Sequence, residues 1–211
     1  MEKLTKNIFE ELFERYPQLK SCRADVENAF ALLKECAQGG GQVFVCGNGG
    51  SASDSEHIVG ELMKSFKKRR PIPEQEMEIL NQTEEGKMLS TVLEGGLKAV
   101  SLTSHLSLST AFANDKEPSA VFAQQLYVLG NKNDALIAIS TSGNSKNCVY
   151  ASIVAKMKGV KIISLTGERE SRLSELSDVC IKVPERETYK VQELHLPVYH
   201  CLCAMLEEEF F

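Results

Sequence analysis

Five short apolar runs are the feature of the sequence that most constrains the fold. Each run has only five or six residues, and most are rich in β-branched side chains, which is typical of buried strands. Stretches with helical periodicity separate the runs. Strands and helices that alternate along a chain form a parallel sheet with helices on both faces. The predicted strands span residues 42–46, 98–102, 135–140, 161–165 and 179–183.

The intervening patterns predict a three-layer αβα sandwich around a five-stranded parallel sheet, a flavodoxin-like α/β fold. We predict one domain over residues 1–211, with additional helices in residues 1–40. No strand precedes those N-terminal helices, so their apolar stripes are expected to contact another subunit. The other predicted helices span residues 52–66, 118–129, 146–158 and 171–176, and a long helix runs toward Phe210.

The composition excludes several classes of partner. The 211 residues carry a formal net charge of -5, so no overall positive field attracts nucleic acid or an anionic membrane. No run approaches the roughly 20 apolar residues of a membrane span, and the charged start of the chain is unlike a signal peptide. The seven cysteines include no C-x-x-C pair and predict reduced core residues. We therefore expect a cytoplasmic protein.

The segment between the first predicted helix and the second strand is unusually long. Residues 67–96 exceed the usual short connection and predict an insertion-like excursion with helical turns of its own. Its basic run, residues 67–70, is compatible with a phosphate or nucleic-acid patch. A solvated helix end is the favoured interpretation.

A glycine-rich turn, CGNGGSASDSEH, follows the first strand. Ligands bind beyond the carboxyl ends of the strands in open α/β sheets, and Gly47, Gly49 and Gly50 let a ligand approach the backbone. Ser51 can cap the next helix or turn its hydroxyl to an anion. The turn also satisfies G-x-G-x-x-A, but the acidic residue that a dinucleotide site needs at the end of the second strand is missing.

A serine-rich turn, STSGNS at residues 140–145, follows the third strand. Hydroxyl groups together with the backbone N–H groups of a helix N-terminus suit a phosphate monoester, and no lysine is required. One such turn is as compatible with a structural role as with a functional one. Two turns on the same sheet favour a sugar phosphate or a similar anionic ligand.

Two groups of residues could bind a metal ion or catalyse proton transfer. His57 and Glu61 are four apart on one predicted helix and share a face. Gln192 and His200 are eight apart, which is about 12 Å along a continuous helix. Because Pro197 suits a first helical turn, either the helix begins after Gln192 or the two residues serve sites in different subunits.

Together these motifs resemble one family. CGNGGSASDSEH, ISTSGNS and VQELH with a histidine five residues further on are similar to the SIS-domain phosphoheptose isomerases, also called sedoheptulose 7-phosphate isomerases. The resemblance spans the chain apart from residues 67–96. It implies an aldose-ketose isomerase that converts sedoheptulose 7-phosphate to D-glycero-D-manno-heptose 7-phosphate through an enediol, in a homo-oligomer, expected to be a tetramer.

The resemblance also implies the site. Glu61 and His200 would be the catalytic acid/base residues, and one Zn²⁺ per active site would be bound by His57, Glu61, Gln192 and His200. We expect the site to be completed between subunits, with His200 of one chain near the glycine turn of another. The implied substrate contacts are Asn48, Gly49, Gly50, Ser51, Glu61, Asn114, Asp115, Ser140, Thr141, Ser142, Ser145 and Gln192.

The sequence departs from the family pattern at one further place, and two other functions compete. Thr188, Tyr189 and Lys190 stand where relatives usually carry an aspartate. A non-catalytic protein, similar to the SIS-domain proteins that associate with the bacterial replication initiator, would lack the equivalents of Glu61 and His200. A sugar-phosphate-sensing regulator would carry a separate DNA-binding domain, for which this chain has neither the length nor the charge.

Overall fold

The sheet is the framework that positions both turns. The computed structural model describes residues 2–211 and contains one five-stranded sheet in which every neighbouring pair of strands is parallel. The strands are β1 Val43–Cys46, β2 Ala99–Ser101, β3 Ala135–Ile139, β4 Lys161–Thr166 and β5 Val179–Lys182. They lie in the order β2-β1-β3-β4-β5, so the predicted α/β fold with a five-stranded parallel sheet is confirmed.

Ten α-helices and two 3-10 turns connect the strands within the described residues. The 3-10 turns are Pro17–Cys22 and Pro118–Ala120. The helices are α1 Lys3–Arg15, α2 Arg23–Gln38, α3 Gly50–Met63, α4 Glu74–Leu80, α5 Glu84–Val92, α6 Leu106–Asp115, α7 Val121–Leu129, α8 Lys146–Lys158, α9 Arg172–Leu176 and α10 Thr188–Phe210.

Side chains that alternate along the strands fill two cores. On β1, Val43 and Val45 face one core, which also contains buried residues of α1, α2, α3 and α10. Phe44 and Cys46 face the other core, which contains buried residues of α7, α8 and α9. Both faces of the sheet are therefore covered, as a three-layer sandwich requires. No helix within residues 2–211 has both the length and the apolar composition of a membrane span.

The N-terminal helix α1 packs within its own chain. Phe9, Leu12 and Phe13 are buried in the same core as the inner side chains of α10. A subunit contact was expected because the apolar stripe of α1 had nothing to cover it. That reason is wrong, because α10 of the same chain covers the stripe. Contacts of residues 1–40 with another subunit stay a prediction without that support.

Helix α10 is continuous through its proline. It begins at Thr188, and Pro197 lies in its interior. The alternative in which this helix begins after Gln192 is therefore wrong. Because Gln192 and His200 lie on one helix, they stand about 12 Å apart along its axis.

The segment of residues 67–96 folds into the short helices α4 and α5, as predicted. Thr83 caps α5 by accepting a hydrogen bond from the Gly86 N–H at 3.0 Å. The basic run before it is not a uniformly solvated helix end, because Arg70 is only 1% exposed and pairs with Glu207. The favoured interpretation of that run was wrong because its buried acidic partner lies 137 residues away.

Candidate active site

The serine turn follows β3 and leads into α8. Ser140 Oγ lies 2.9 Å from Ser145 Oγ, and Gly143 has a positive φ of 67°. A Cβ at Gly143 would stand 2.0 Å from Ser171 Oγ, so glycine is required there. Ser145 is the N-cap residue of α8 but makes no capping hydrogen bond with its side chain. The N–H groups of Lys146 and Asn147, the first two of α8, therefore remain available to an anion, whereas that of Cys148 donates to Asn147 Oδ1 at 3.0 Å.

The glycine turn lies beside the serine turn. The amides of Asn48 and Asn147 exchange two hydrogen bonds of 2.9 and 2.8 Å, which join the turn after β1 to the first residues of α8. Gly49, with φ 56°, is the N-cap of α3. Of the two alternatives for Ser51, the capping one is wrong, because α3 begins at Gly50 and Ser51 is buried in its first turn.

Gln192 lies against the start of α3. A Cβ at Gly50 would come within 2.7 Å of Gln192 Nε2, so the Gln192 amide lies directly over Gly50 and would have to move if a side chain were added there. One face of α10 thus presents Gln192 to the glycine turn, next to the serine turn. Further along the same two helices, His200 of α10 meets His57 of α3, so the two helices run side by side in the same direction.

His57, Glu61 and His200 form a cluster within one chain. His57 Nε2 lies 3.1 Å from Glu61 Oε1 and 3.4 Å from His200 Nε2. The structure therefore corrects the expectation that His200 needs a second subunit to reach this region. Its position on the continuous helix α10 brings it to His57 directly. Gln192, on the same helix, stays with the glycine turn.

Tyr199 orients His57. Its hydroxyl donates to Asp54 Oδ1 at 3.1 Å and lies 3.1 Å from His57 Nδ1. A hydroxyl has one proton, so the His57 Nδ1–H donates to Tyr199. In the neutral ring, Nε2 of His57 consequently presents a lone pair to Glu61 and His200.

The donor types of this cluster fit zinc. The lone pair of His57 Nε2 faces the carboxylate oxygen of Glu61, and two such acceptors need a proton or a cation between them. Two imidazoles and a carboxylate are common zinc ligands. Glu61 Oε2 is buried and has no hydrogen-bond partner among the described residues. Across residues 2–211, however, no group of three His, Cys, Asp or Glu side chains is arranged so that it could hold a metal ion.

Burial tunes the acid/base groups of the cluster. Burial lowers the pKa of His200, and the neighbouring His57 lowers it further, whereas Glu61 raises it. Burial also raises the pKa of Asp54, against the opposing effects of Tyr199 and His57. Burial and the charge of Asp54 raise the pKa of Tyr199, which keeps its hydroxyl protonated. His200 is therefore favoured as a neutral imidazole that can accept a proton.

The remaining predicted substrate residues are more dispersed. Asn114 and Asp115 are exposed at the end of α6, where Asn114 Nδ2 donates to Asp115 Oδ1 at 2.8 Å. Thr141 and Ser142 line a cavity of about 150 Å³ together with Thr188. Thr188 therefore lies close to the serine turn.

Asp54 and Tyr199 are the site residues that sequence reasoning missed. Asp54 lies three residues before His57, so the spacing along α3 places both on one face. Tyr199 directly precedes His200. A search for polar partners of His57 along its own helix would have found Asp54, whereas no local signal identifies Tyr199.

Comparison with known proteins defines the class. Models of the SIS domain match residues 9–95 and residues 98–205, so the chain belongs to the SIS-domain family, as the motifs predicted. A phosphoheptose isomerase from Helicobacter pylori strain P12 is 38% identical over 192 residues, which are 91% of this chain and 88% of the relative. Within the SIS-domain family the chain is therefore a member of the phosphoheptose isomerases.

Two further relatives cover nearly the whole chain. A phosphoheptose isomerase from Akkermansia muciniphila is 31% identical over 100% of this chain and 99% of its own length. The solved structure of a phosphoheptose isomerase from Francisella tularensis is 28% identical, has a TM-score of 0.76, and covers 99% of this chain and 100% of its own. The predicted enzyme class, an aldose-ketose isomerase, is confirmed by this membership.

Proposed function

We propose that the chain converts sedoheptulose 7-phosphate to D-glycero-D-manno-heptose 7-phosphate through an enediol. The observation that carries the proposal is the arrangement of two sites along one pair of helices. The glycine turn before α3 is joined to the start of α8 by the hydrogen bonds between Asn48 and Asn147, and would bind the phosphate together with the serine turn. The cluster of His57, Glu61 and His200 lies further along α3 and α10.

The separation of the two sites suits a sugar of this length. Gly50 and His57 are seven residues apart on α3, which is about 10 Å along the helix axis. A seven-carbon sugar phosphate in an extended conformation has a comparable length. With its phosphate beside Gly50, its carbonyl end would reach the cluster.

The cluster contains the groups that the reaction needs. Isomerisation moves a proton between two adjacent carbons and develops negative charge on an oxygen. In the proposed mechanism Glu61 removes the proton, because Oε2 has no hydrogen-bond partner among the described residues. His200, whose pKa is lowered by burial, exchanges the proton with the sugar oxygens. The Gln192 amide, beside Gly50, donates to the sugar chain.

We also propose one zinc ion per active site, held by His57, Glu61 and His200. When bound, zinc would polarise the sugar carbonyl as a Lewis acid. Gln192 stands about 12 Å from His200 along α10, so it cannot share that ion within one chain. If a glutamine is the fourth zinc ligand, it would have to be Gln192 of a second copy of the chain.

A homo-oligomer, expected to be a tetramer, is the proposed assembly. Exposed apolar side chains support it, because Leu106 is 74% and Val128 65% exposed on neighbouring helices. Contiguous apolar surface of this kind is typical of subunit contacts.

The proposed location is the cytoplasm, which the seven free cysteines support, because thiols persist in reducing compartments.

Purified protein should be incubated with ketose phosphates of five, six and seven carbons while aldose formation is measured. We expect the highest kcat/KM for sedoheptulose 7-phosphate. A preference for a shorter sugar would refute the proposed substrate, and no aldose from any of the three would refute the reaction. The latter result would favour the non-catalytic binding protein instead.

A further inference from the structure

Arg70 and Glu207 form a buried ion pair that joins the end of α3 to the end of α10. Both side chains are 1% exposed, and Arg70 Nε donates to Glu207 Oε1 at 2.8 Å. The other guanidinium nitrogens donate to the backbone carbonyls of Leu62 at 2.8 Å and Glu61 at 2.9 Å. The last carbonyls of a helix have no intrahelical partner, so Arg70 completes the hydrogen bonding of the last turn of α3.

Glu207 is held in turn by the chain that follows α3. Its carboxylate accepts hydrogen bonds from the backbone N–H groups of Phe66 at 2.8 Å, Lys67 at 2.7 Å and Lys68 at 3.3 Å. Burial by itself would raise the pKa of Glu207, but the N–H groups of Phe66 and Lys67 together with Arg70 lower it on balance. The carboxylate therefore stays ionised and keeps Arg70 in place.

Stability alone is a weak reason for such a pair. Two charges lose hydration when they are buried, and apolar residues of similar volume are often at least as stabilising. The geometry gives a stronger reason. His200 and Glu207 are seven residues apart on α10 and share one face. That face contacts His57 through His200 and fixes the end of α3 through Glu207 and Arg70.

We propose that Arg70, held by Glu207, is a positioning residue that fixes Glu61 relative to His200 during the isomerisation. The proposal rests on the catalytic role proposed for Glu61. Arg70 binds the backbone of Glu61 rather than its carboxylate, so it acts through the placement of the residue. A displacement of 1 Å at a reacting group can cost about 100-fold in rate.

The first test is Arg70→Lys, with kcat and KM measured for sedoheptulose 7-phosphate. Lysine keeps the charge, but one ammonium cannot reproduce the planar fork that reaches Glu207 and two carbonyls. We expect kcat to fall by about 10-fold or more. KM should stay within about 3-fold, because the serine turn that binds the phosphate is not altered. Wild-type kcat in this variant would overturn the proposal.

A matched core variant separates positioning from general destabilisation. Ile162→Ala removes a buried side chain of β4 from the core on the opposite face of the sheet from α3 and α10, and should lower the thermal midpoint at least as much. Measured well below both midpoints, kcat should be unchanged in Ile162→Ala. An equal loss of kcat in both variants would show a purely structural role. Glu207→Gln serves as a second variant if Arg70→Lys does not fold, with the same expected loss.

A double variant tests whether Arg70 acts through Glu61. In a Glu61→Gln background, Arg70→Lys should reduce the residual kcat by less than about 2-fold, because the group that it positions is already absent. If Arg70→Lys lowers kcat by the same factor in the Glu61→Gln background as in the wild type, Arg70 acts independently of Glu61, and the proposal is refuted. Wild-type turnover in Glu61→Gln itself would instead refute the proposed mechanism, and the positioning role would fall with it.

Discussion

His57 Nε2 and His200 Nε2 lie 3.4 Å apart, although 143 residues separate the two histidines in sequence. The contact exists because α3 and α10 pack side by side on one face of the sheet. Glu61 lies one turn beyond His57 and joins the same cluster. The packing of two helices therefore creates the proposed catalytic centre within one chain.

Loss of either proposed acid/base group should abolish most turnover. We expect Glu61→Gln and His200→Ala each to lower kcat by about 100-fold or more, because general acid/base groups contribute about 10²- to 10⁴-fold. Glu56→Gln, an exposed substitution on the same helix α3, is the matched control and should keep wild-type kcat. Steady-state kinetics with sedoheptulose 7-phosphate would show either result. Unchanged kcat in one variant would remove that residue from the mechanism.

An added negative charge in the serine turn should weaken substrate binding. In Ser142→Asp the new carboxylate would repel the phosphate of the sugar, and we expect KM to rise by about 10-fold or more. Thr91→Asp adds the same charge to an exposed position of α5 and should leave KM unchanged. If KM is the same in both variants, the serine turn does not bind the phosphate.

Substitution of Tyr199 should weaken zinc binding. Tyr199→Phe removes the hydroxyl that accepts from His57 Nδ1, so the ring would lose its preferred tautomer. Partners that orient a metal-binding histidine are worth about 10- to 100-fold in metal affinity. Competition between the protein and a zinc-binding dye measures that affinity directly. Tyr127→Phe, at an exposed position of α7, is the control, and equal zinc affinities in the two variants would contradict the role of Tyr199.

The strands and both turns could be predicted from sequence because their signals are local. Short β-branched runs identify buried strands, and the two turns carry glycine and serine at fixed spacing. Helix α6 was not predicted. None of its residues is buried, and Leu106 and Leu108 alternate with serines, so the apolar signal of helical period is weak there.

The long-range pairs could not be predicted. Arg70 appears in the sequence as part of a solvated basic run, and Glu207 stands in an acidic stretch near the end of the chain. Tyr199 and Asp54 are 145 residues apart. Contacts of this kind depend on how α3 and α10 pack, which no local pattern specifies. The same limit explains why His200 was expected to need a second subunit.

His195 should make the protein sensitive to acid. It is fully buried, with Nε2 at 3.3 Å from the Thr166 carbonyl, and burial lowers its pKa to about 4. The unfolded chain takes up this proton near pH 6.5, before the folded protein does. The free energy of unfolding should therefore fall as the pH decreases from about 6.5 to about 4, by about 3 kcal/mol from this residue.

Urea unfolding at a series of pH values would measure that loss. His195→Gln removes the titrating group, so the free energy of unfolding of this variant should decrease less between pH 6.5 and pH 4, even if its value at pH 7 is lower. The unchanged chain is the reference for this comparison. A substitution of the exposed His105 is not used as a control, because the His105 ring contacts Gln125 of α7. Identical pH dependence in His195→Gln and the unchanged chain would contradict the prediction.

A subunit-mixing experiment should show that Glu61 and His200 act in the same chain. The structure brings both residues to His57 within one chain, so a chain that carries Glu61→Gln cannot be repaired by a chain that carries His200→Ala. Every site in a mixed oligomer would still lack one of the two groups. We therefore expect no recovery of activity when the two inactive variants are mixed under conditions that exchange subunits.

Subunit exchange itself must be demonstrated, because variants that never exchange subunits would also show no recovery of activity. Differently tagged copies of the two variants can be captured together after mixing, and mass spectrometry of the captured oligomers would report the exchange. A wild-type chain mixed with His200→Ala is the positive control and should retain activity in proportion to its wild-type content. If activity returns in the mixture of the two variants, sites are shared between subunits, and the contact between His57 and His200 within one chain is not the catalytic arrangement.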